Sequence, residues 1–252
     1  NEKGAKIMES TSDDKGMVEF RKIPYGKYTI REISAPYGFH PSKNTWKVNV
    51  DGTYINPSKV LDTVINEDAP GWIKIRKLDE LDGHAIAGVQ FDIYAVKEDG
   101  TAGDVVSTMV TDDDGVAMSA DLLVGDYLVK EHENPVGYKY DLWSEKITVV
   151  MDETINRTVK NMPLQGNIRI IKTDSETKKG LPGAVFTVTR ISGLPSHNGE
   201  DVGEIVAVLT TDENGFAETP LLTWGEYKVV ETHVPDDYID DGYEITVKVP
   251  GE

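Results

Sequence analysis

An internal repeat with a period close to one hundred residues constrains this chain more than any other feature. Three segments share the pattern G-x-Y-x-h-x-E (h apolar), followed by a proline and an aromatic: YGKYTIREISAPYGF, GDYLVKEHENPVGY and GEYKVVETHVPDDY. Their glutamates, Glu32, Glu131 and Glu231, stand 99 and 100 residues apart. Upstream of each lies a turn-like element, SDDKGMVEF, TDDDGVAMS or TDENGFAET, whose glycines Gly16, Gly115 and Gly215 keep the same two steps. Two more elements occur twice, 95 residues apart: the lysine segments WIKIRKLD and NIRIIKTD, with Lys77 and Lys172, and the closing segments DTVINEDAPG and RTVKNMPLQG, with Asn66 and Asn161. Such a period is too long for a solenoid unit and has the size of a small domain in tandem.

The repeat places domains at residues 1–70, 71–165 and 166–252. The middle one is complete. The first has its glutamate and asparagine but no lysine segment. The third has its lysine and glutamate, and its asparagine is expected near residue 261–265, beyond Glu252. The expectation is therefore a segment of a longer array. Short runs such as 125–131, 146–150 and 243–249 alternate apolar and polar residues, with Gly, Asp, Asn and Pro clusters between them. No helical stripe is present, and parallel sheets need helical crossovers. The expected fold is all-β: tandem antiparallel β-sandwiches of Greek-key, Ig-like or prealbumin-like type, joined by short proline-containing links into a rod-like array.

In a strand, residues two apart share a face. Tyr127, Val129 and Glu131 then point the same way, as do Tyr28, Ile30 and Glu32, and Tyr227, Val229 and Glu231. Ile73, Ile75 and Lys77 form a second such set, matched by Ile168, Ile170 and Lys172; Val64 with Asn66, and Val159 with Asn161, form a third. The complete domain thus aims one lysine, one glutamate and one asparagine at its core. Isolated buried charges are costly, so they pair or neutralise. One reading is a buried Lys–Glu ion pair hydrogen-bonded to the asparagine. The other is a self-reaction, because burial lowers a lysine pKa and raises a glutamate pKa. A neutral amine is a nucleophile, and a carboxyl can shuttle protons. Attack of Lys Nζ on Asn Cγ with loss of ammonia would give an isopeptide bond.

The composite order, lysine segment, L-x-G-A-x-F, T-D-x-x-G, the glutamate box and h-x-N-x-P, resembles the collagen-adhesin B-type (Cna-B, SpaA-like) repeats of Gram-positive surface adhesins and pilins. The resemblance covers essentially the whole chain, in three copies. It implies a prealbumin-like sandwich with an autocatalytic Lys–Asn isopeptide bond and a catalytic Glu. Carried over, these are Lys77, Asn161 and Glu131 in domain two, Lys172 and Glu231 in domain three, and Glu32 and Asn66 in domain one. Domain two departs from the pattern with AIAGVQF and with EHENPVGY in place of E-x-x-A-P-x-G-Y, and domain three with VPDDY. Lys74 is a rival nucleophile, but parity turns it away from Ile73 and Ile75.

The remaining signals exclude more than they add. The chain carries 26 basic and 44 acidic residues, a net charge of −18, which disfavours nucleic acid and anionic membranes. It has no cysteine, which removes disulfides and thiolate chemistry and leaves a stabilising role for another cross-link. TDDDGVA lacks the spacing of a calcium loop. His40, His84, His132, His197 and His233 form no metal motif, and His132 and His233 are expected to face solvent. No metal or cofactor is expected. Tyr25 and Trp224 are expected to pack at a rim rather than bind sugar. No sortase signal or pilin lysine motif is present in the segment. The function expected is a structural stalk of a cell-wall-anchored, extracellular surface protein, with no enzymatic turnover beyond a single self-cross-linking event. Its partners would be neighbouring domains of the same protein, and a host matrix protein or glycan reached through a tip domain outside this chain. The alternatives are a host-ligand-binding adhesin module, or accessory domains of a large secreted enzyme.

Overall fold

A computed structural model describes residues 4–51, 63–194 and 202–250; Asp62 of the first closing segment lies outside them. Among the described residues every regular element is a strand, and no helix is long and apolar enough to cross a membrane. The chain falls into two compact units. One comprises Asn1–Trp72 with Asp121–Gly125 and Val149–Thr154, and the other Ile73–Ala120, Asp126–Thr148 and Ile155–Glu252. The first unit borrows from the middle repeat because the link is hydrogen-bonded into it. Gly71 and Leu122 exchange N–H···O bonds of 2.9 and 3.1 Å, and Asp152 N–H donates to Pro70 O at 2.8 Å.

In the first unit, β1 (Gly26–Arg31) pairs antiparallel with β3 (Thr45–Val50), and β2 (Phe39–His40) with β4 (Glu67–Asp68). Burial alternates along β1, with Tyr28 and Ile30 partly covered and Lys27, Thr29 and Arg31 exposed. The parity expected of Val64 does not hold: Val64 is 43% exposed while Asn66 is half-buried.

The second unit holds the same arrangement twice. The strands of the middle repeat are β5 (Trp72–Asp79), β6 (Gln90–Val96), β7 (Ala102–Val110), β8 (Val116–Met118), β9 (Gly125–Glu131), β10 (Ser144–Val149) and β11 (Thr154–Asn161). They form a four-stranded sheet, β10-β9-β6-β7, and a three-stranded sheet, β11-β5-β8. After the two-residue β12 (Gln165–Gly166) come β13 (Arg169–Ile171), β14 (Val185–Gly193), β15 (Ile205–Thr210), β16 (Phe216–Glu218), β17 (Leu222–Thr223), β18 (Gly225–His233) and β19 (Glu244–Val249). They repeat the four-stranded order as β19-β18-β14-β15, with β13 paired to β16 and β12 to β17.

The cores follow the period-two pattern. Ile73, Ile75, Phe91, Ile93, Val129, Ile147, Val149 and Val159 are buried in the middle repeat. Ile168, Ala184, Phe186, Val188, Leu222, Tyr227, Val229 and Val249 pack together in the last. One pairing departs from the antiparallel expectation. Trp72 N–H donates to Glu153 O at 2.9 Å and Glu80 N–H to Asn161 O at 3.0 Å, so donor and acceptor advance together and β5 runs parallel to β11. No helical crossover is needed, because the other five strands lie between these two in sequence.

The repeated residues have local reasons. Tyr28 OH reaches back to Pro24 O at 2.8 Å, and Tyr227 OH to Thr223 O at 2.9 Å, tying each G-x-Y strand to the loop before it. Gly115 has φ +71, and a Cβ there would stand 2.4 Å from Lys77 O; at Gly215, φ +75, it would stand 2.1 Å from Lys172 O. The turn glycine thus lets the turn press against the lysine strand. Three residues before it, one acid is constant. Asp13, Asp112 and Asp212 each accept two backbone N–H bonds through Oδ1, from Lys15 and Met17, Asp114 and Val116, and Asn214 and Phe216. These acids close an Asx turn.

Candidate functional site

The middle repeat brings Lys77, Glu131 and Asn161 into its interior, at 0%, 3% and 3% exposure. Lys77 enters from β5, Glu131 from the end of β9 and Asn161 from the end of β11. Lys77 Nζ lies 2.8 Å from Glu131 Oε1, a fully buried ion pair. Burial pushes the Lys77 pKa down, and attraction to Glu131 and Asp141 only partly opposes it.

Aromatic side chains enclose this pair. Phe91, fully buried and opposite Glu131 in the β6–β9 register, places its ring centroid 5.7 Å from Lys77 Nζ. Trp143 packs edge-on against Phe91, with centroids 6.0 Å apart. The Trp143 backbone N–H donates to Glu131 Oε2 at 3.4 Å, while Glu131 N–H donates to Trp143 O at 2.9 Å. Asn161 Nδ2 donates to Asn134 Oδ1 at 3.2 Å, and Asn161 Oδ1 is buried without a partner.

The outer repeats hold two parts of the set each. In the last, Lys172 Nζ donates to Glu231 Oε2 at 2.7 Å; Glu231 is buried, its Oε1 unpartnered, and Lys172 is partly exposed. In the first, Asn66 Nδ2 donates to Glu32 Oε2 at 2.7 Å and to His40 O at 2.9 Å, and Ser42 N–H donates to the same Glu32 oxygen at 2.6 Å. The glutamate therefore contacts a lysine in two repeats and an asparagine in one.

Other candidates fall elsewhere. Lys74 pairs in register with Met118, and parity with Ile73 and Ile75 turns it from the core. His132 is exposed, as is His233, but His132 Nδ1 lies 2.6 Å from Asp92 Oδ2, a partner the sequence reading did not find. Its pKa is raised by that contact. Burial pushes Asp92 up, but its bonds to His132 and Gln90 outweigh this and hold it low. Tyr25 is 77% exposed rather than packed at a rim. Trp224 does pack, near Gly137, where a Cβ would meet its ring at 3.1 Å. Asp79, Asp82 and His84 cluster closely enough to hold a cation, but His84 Nδ1 is already engaged at 2.7 Å by Asp82.

Three stretches, residues 1–61, 71–163 and 166–252, match the family model of the SpaA prealbumin-like fold domain. Among solved structures, the chain is similar to the Bacillus anthracis TIE protein, with 27% identity and a TM-score of 0.75, over 96% of this chain and 42% of that one. It thus spans less than half the length of that relative. It is also similar to a Streptococcal ancillary pilin (24% identity, TM-score 0.36, 91% of this chain and 73% of that one). The shaft pilin SpaA from Lactobacillus rhamnosus GG is 21% identical, with a TM-score of 0.32, over 71% of this chain and 93% of that one. No curated protein matches the chain.

Proposed function

This chain belongs to the SpaA family of prealbumin-like fold domains, and from that premise we propose that it is a structural stalk segment of an extracellular, cell-wall-anchored Gram-positive adhesin or pilin. Its three domains span 1–70, 71–165 and 166–252, and the middle one is closed by an isopeptide bond between Lys77 and Asn161. The single observation that carries this reading is that Lys77 and Glu131 form a fully buried pair at 2.8 Å in the same domain interior as Asn161, whose Oδ1 is buried without a hydrogen-bond partner; such an atom costs ~1–3 kcal/mol when left unsatisfied. The reaction uses the same three groups.

Burial favours the neutral amine, and Glu131 takes one proton from the Lys77 ammonium. Nζ adds to Asn161 Cγ. The Glu131 carboxyl returns its proton to Nδ2, the Cγ–Nδ2 bond breaks, and ammonia leaves. A second Nζ proton passes through the same carboxyl to the departing ammonia. One amide forms, one ammonium ion departs and Glu131 ends as it began. This is a single event per molecule, so Glu131 is a self-processing residue and the protein is not an enzyme. Glu231 would serve Lys172, and Glu32 would serve Asn66, with partners outside this chain.

The bond would join the first and last strands of the domain, where tension enters and leaves. The test is mechanical. Pulled from its two ends, the chain should not lengthen between Lys77 and Asn161. In Lys77→Met, the ~84 residues between them should be released, adding about 290 Å at ~3.5 Å per residue. A parent domain that releases the same length overturns the proposal.

A further inference from the structure

Asn134 occupies the place at which the glutamate box of the first repeat has Ala35 and that of the third has Val234. Of the three repeats, only the middle one carries at this position a side chain that can hydrogen-bond. Its amide is pinned. Asn134 Nδ2 donates to Pro135 O at 3.1 Å and to Tyr138 O at 3.0 Å. Carbonyl oxygens only accept, so these two bonds fix which end of the amide carries the nitrogen. Oδ1 is left facing inward, where it accepts from Asn161 Nδ2 at 3.2 Å and from Asp141 N–H at 3.3 Å.

The loop bearing Asn134 is in turn strapped to the end of β11. Lys139 N–H donates to Met162 O and Leu164 N–H to Gly137 O, both at 2.8 Å, and Tyr138 bridges Pro163. Asn134 and Asn161 are therefore held against each other by backbone on both sides. The consequence for Asn161 is orientational. An Asn side chain rotates broadly about its last torsion, but here Nδ2 is turned to Asn134 and the carbonyl oxygen away from it. In the first repeat, which has Ala35 at the matching place, Asn66 Nδ2 donates to Glu32 Oε2 and to His40 O.

We propose that Asn134 is the positioning residue of the cross-link: by accepting from Nδ2 it holds the Asn161 carboxamide in one orientation for attack by Lys77 at Cγ. This rests on the reading of Lys77 and Asn161 as the reacting pair. In the reaction, the Cγ–Nδ2 bond breaks while Asn134 Oδ1 accepts from that nitrogen, and Glu131 supplies its protons. Asn134 neither gains nor loses a proton.

The test follows ammonia loss by intact mass in full-length chain made by cell-free synthesis and sampled over time. Asn134→Ala, which installs the residue of the first repeat, should slow the loss about fivefold, the rate equivalent of one net hydrogen bond. Asn134→Ser should slow it as well, and serves if the alanine variant folds poorly. The pH profile of the rate should keep its midpoint, since Lys77 and Glu131 are untouched. In a Lys77→Ala background, where no bond can form, Asn134→Ala should lower the melting temperature by only a few degrees, the loss of its loop hydrogen bonds. A variant rate within twofold of the parent overturns the proposal. So does a fall in melting temperature of more than about 10 °C in the Lys77→Ala background, beyond what one hydrogen bond supplies, which marks a loop staple. A parent chain that never loses ammonia sinks the cross-link itself, a result distinct from unequal or equal rates among chains that do.

Discussion

The thermodynamic worth of the cross-link can be isolated with a double-mutant cycle on Lys77 and Asn161. A bond between them closes a loop of ~84 residues, for which chain entropy gives about 4.5 kcal/mol. Asn161→Ala removes that tie and also the bond to Asn134, worth ~1 kcal/mol, so its total cost should be about 5.5 kcal/mol. For a domain near one hundred residues this lowers the melting temperature by roughly 20–40 °C. In a Lys77→Met background the tie is already absent. Methionine fills the space of the buried lysine stem, and Asn161→Ala should then cost only ~1 kcal/mol. The coupling energy is the difference, about 4.5 kcal/mol. Non-covalent neighbours couple by ~0.5–3 kcal/mol, so the predicted value lies above anything a buried ion pair with an adjacent amide supplies. The assay is calorimetry of the four full-length chains, following the transition that Lys77→Met shifts. A coupling energy of 3 kcal/mol or less would refute the covalent reasoning and leave the buried-pair reading.

Two further predictions concern the fold around the site. His132 is raised by Asp92, so its contribution is complete below pH ~6.5 and is lost as pH rises through its raised value. Asp92 is held low, so its share is complete above pH ~3.8 and is lost as pH falls through its lowered value. The melting-temperature gap between the parent and His132→Ala should therefore be widest between these limits and narrow on either side; a flat gap from pH 4 to 9 contradicts this. Gly115→Ala puts a Cβ 2.4 Å from Lys77 O at φ +71. Strain of ~1–3 kcal/mol from the left-handed backbone adds to that clash. Calorimetry should show a loss of 2 kcal/mol or more, on the order of that strain, and unchanged stability would contradict the packing.

What the sequence disclosed was whatever depends on period. The steps between Glu32, Glu131 and Glu231 exposed the repeat, and period-two parity placed Lys77, Glu131 and Asn161 inward, as their burial bears out. What depends on contacts across loops was hidden. Asn134 registered only as a departure from a motif, because its role needs the loop folded back onto β11. Its signal was a polar residue where the other copies have Ala35 and Val234. The His132–Asp92 contact joins residues 40 apart on different strands, which no local pattern announces. The turns around Gly16, Gly115 and Gly215 were legible from their glycines, but that Asp13, Asp112 and Asp212 close them is read only from the backbone N–H groups they accept. The parallel pairing of β5 and β11 was missed because parallel strands were tied to helical crossovers, whereas a whole domain can serve as the connection.

Intact mass of the full-length chain addresses the central claim directly. The account predicts a mass lower than that of the sequence by one ammonia, with the loss abolished by Lys77→Ala and by Asn161→Ala and retained in Lys74→Ala. A mass equal to that of the sequence, or a loss that survives Lys77→Ala, would contradict it.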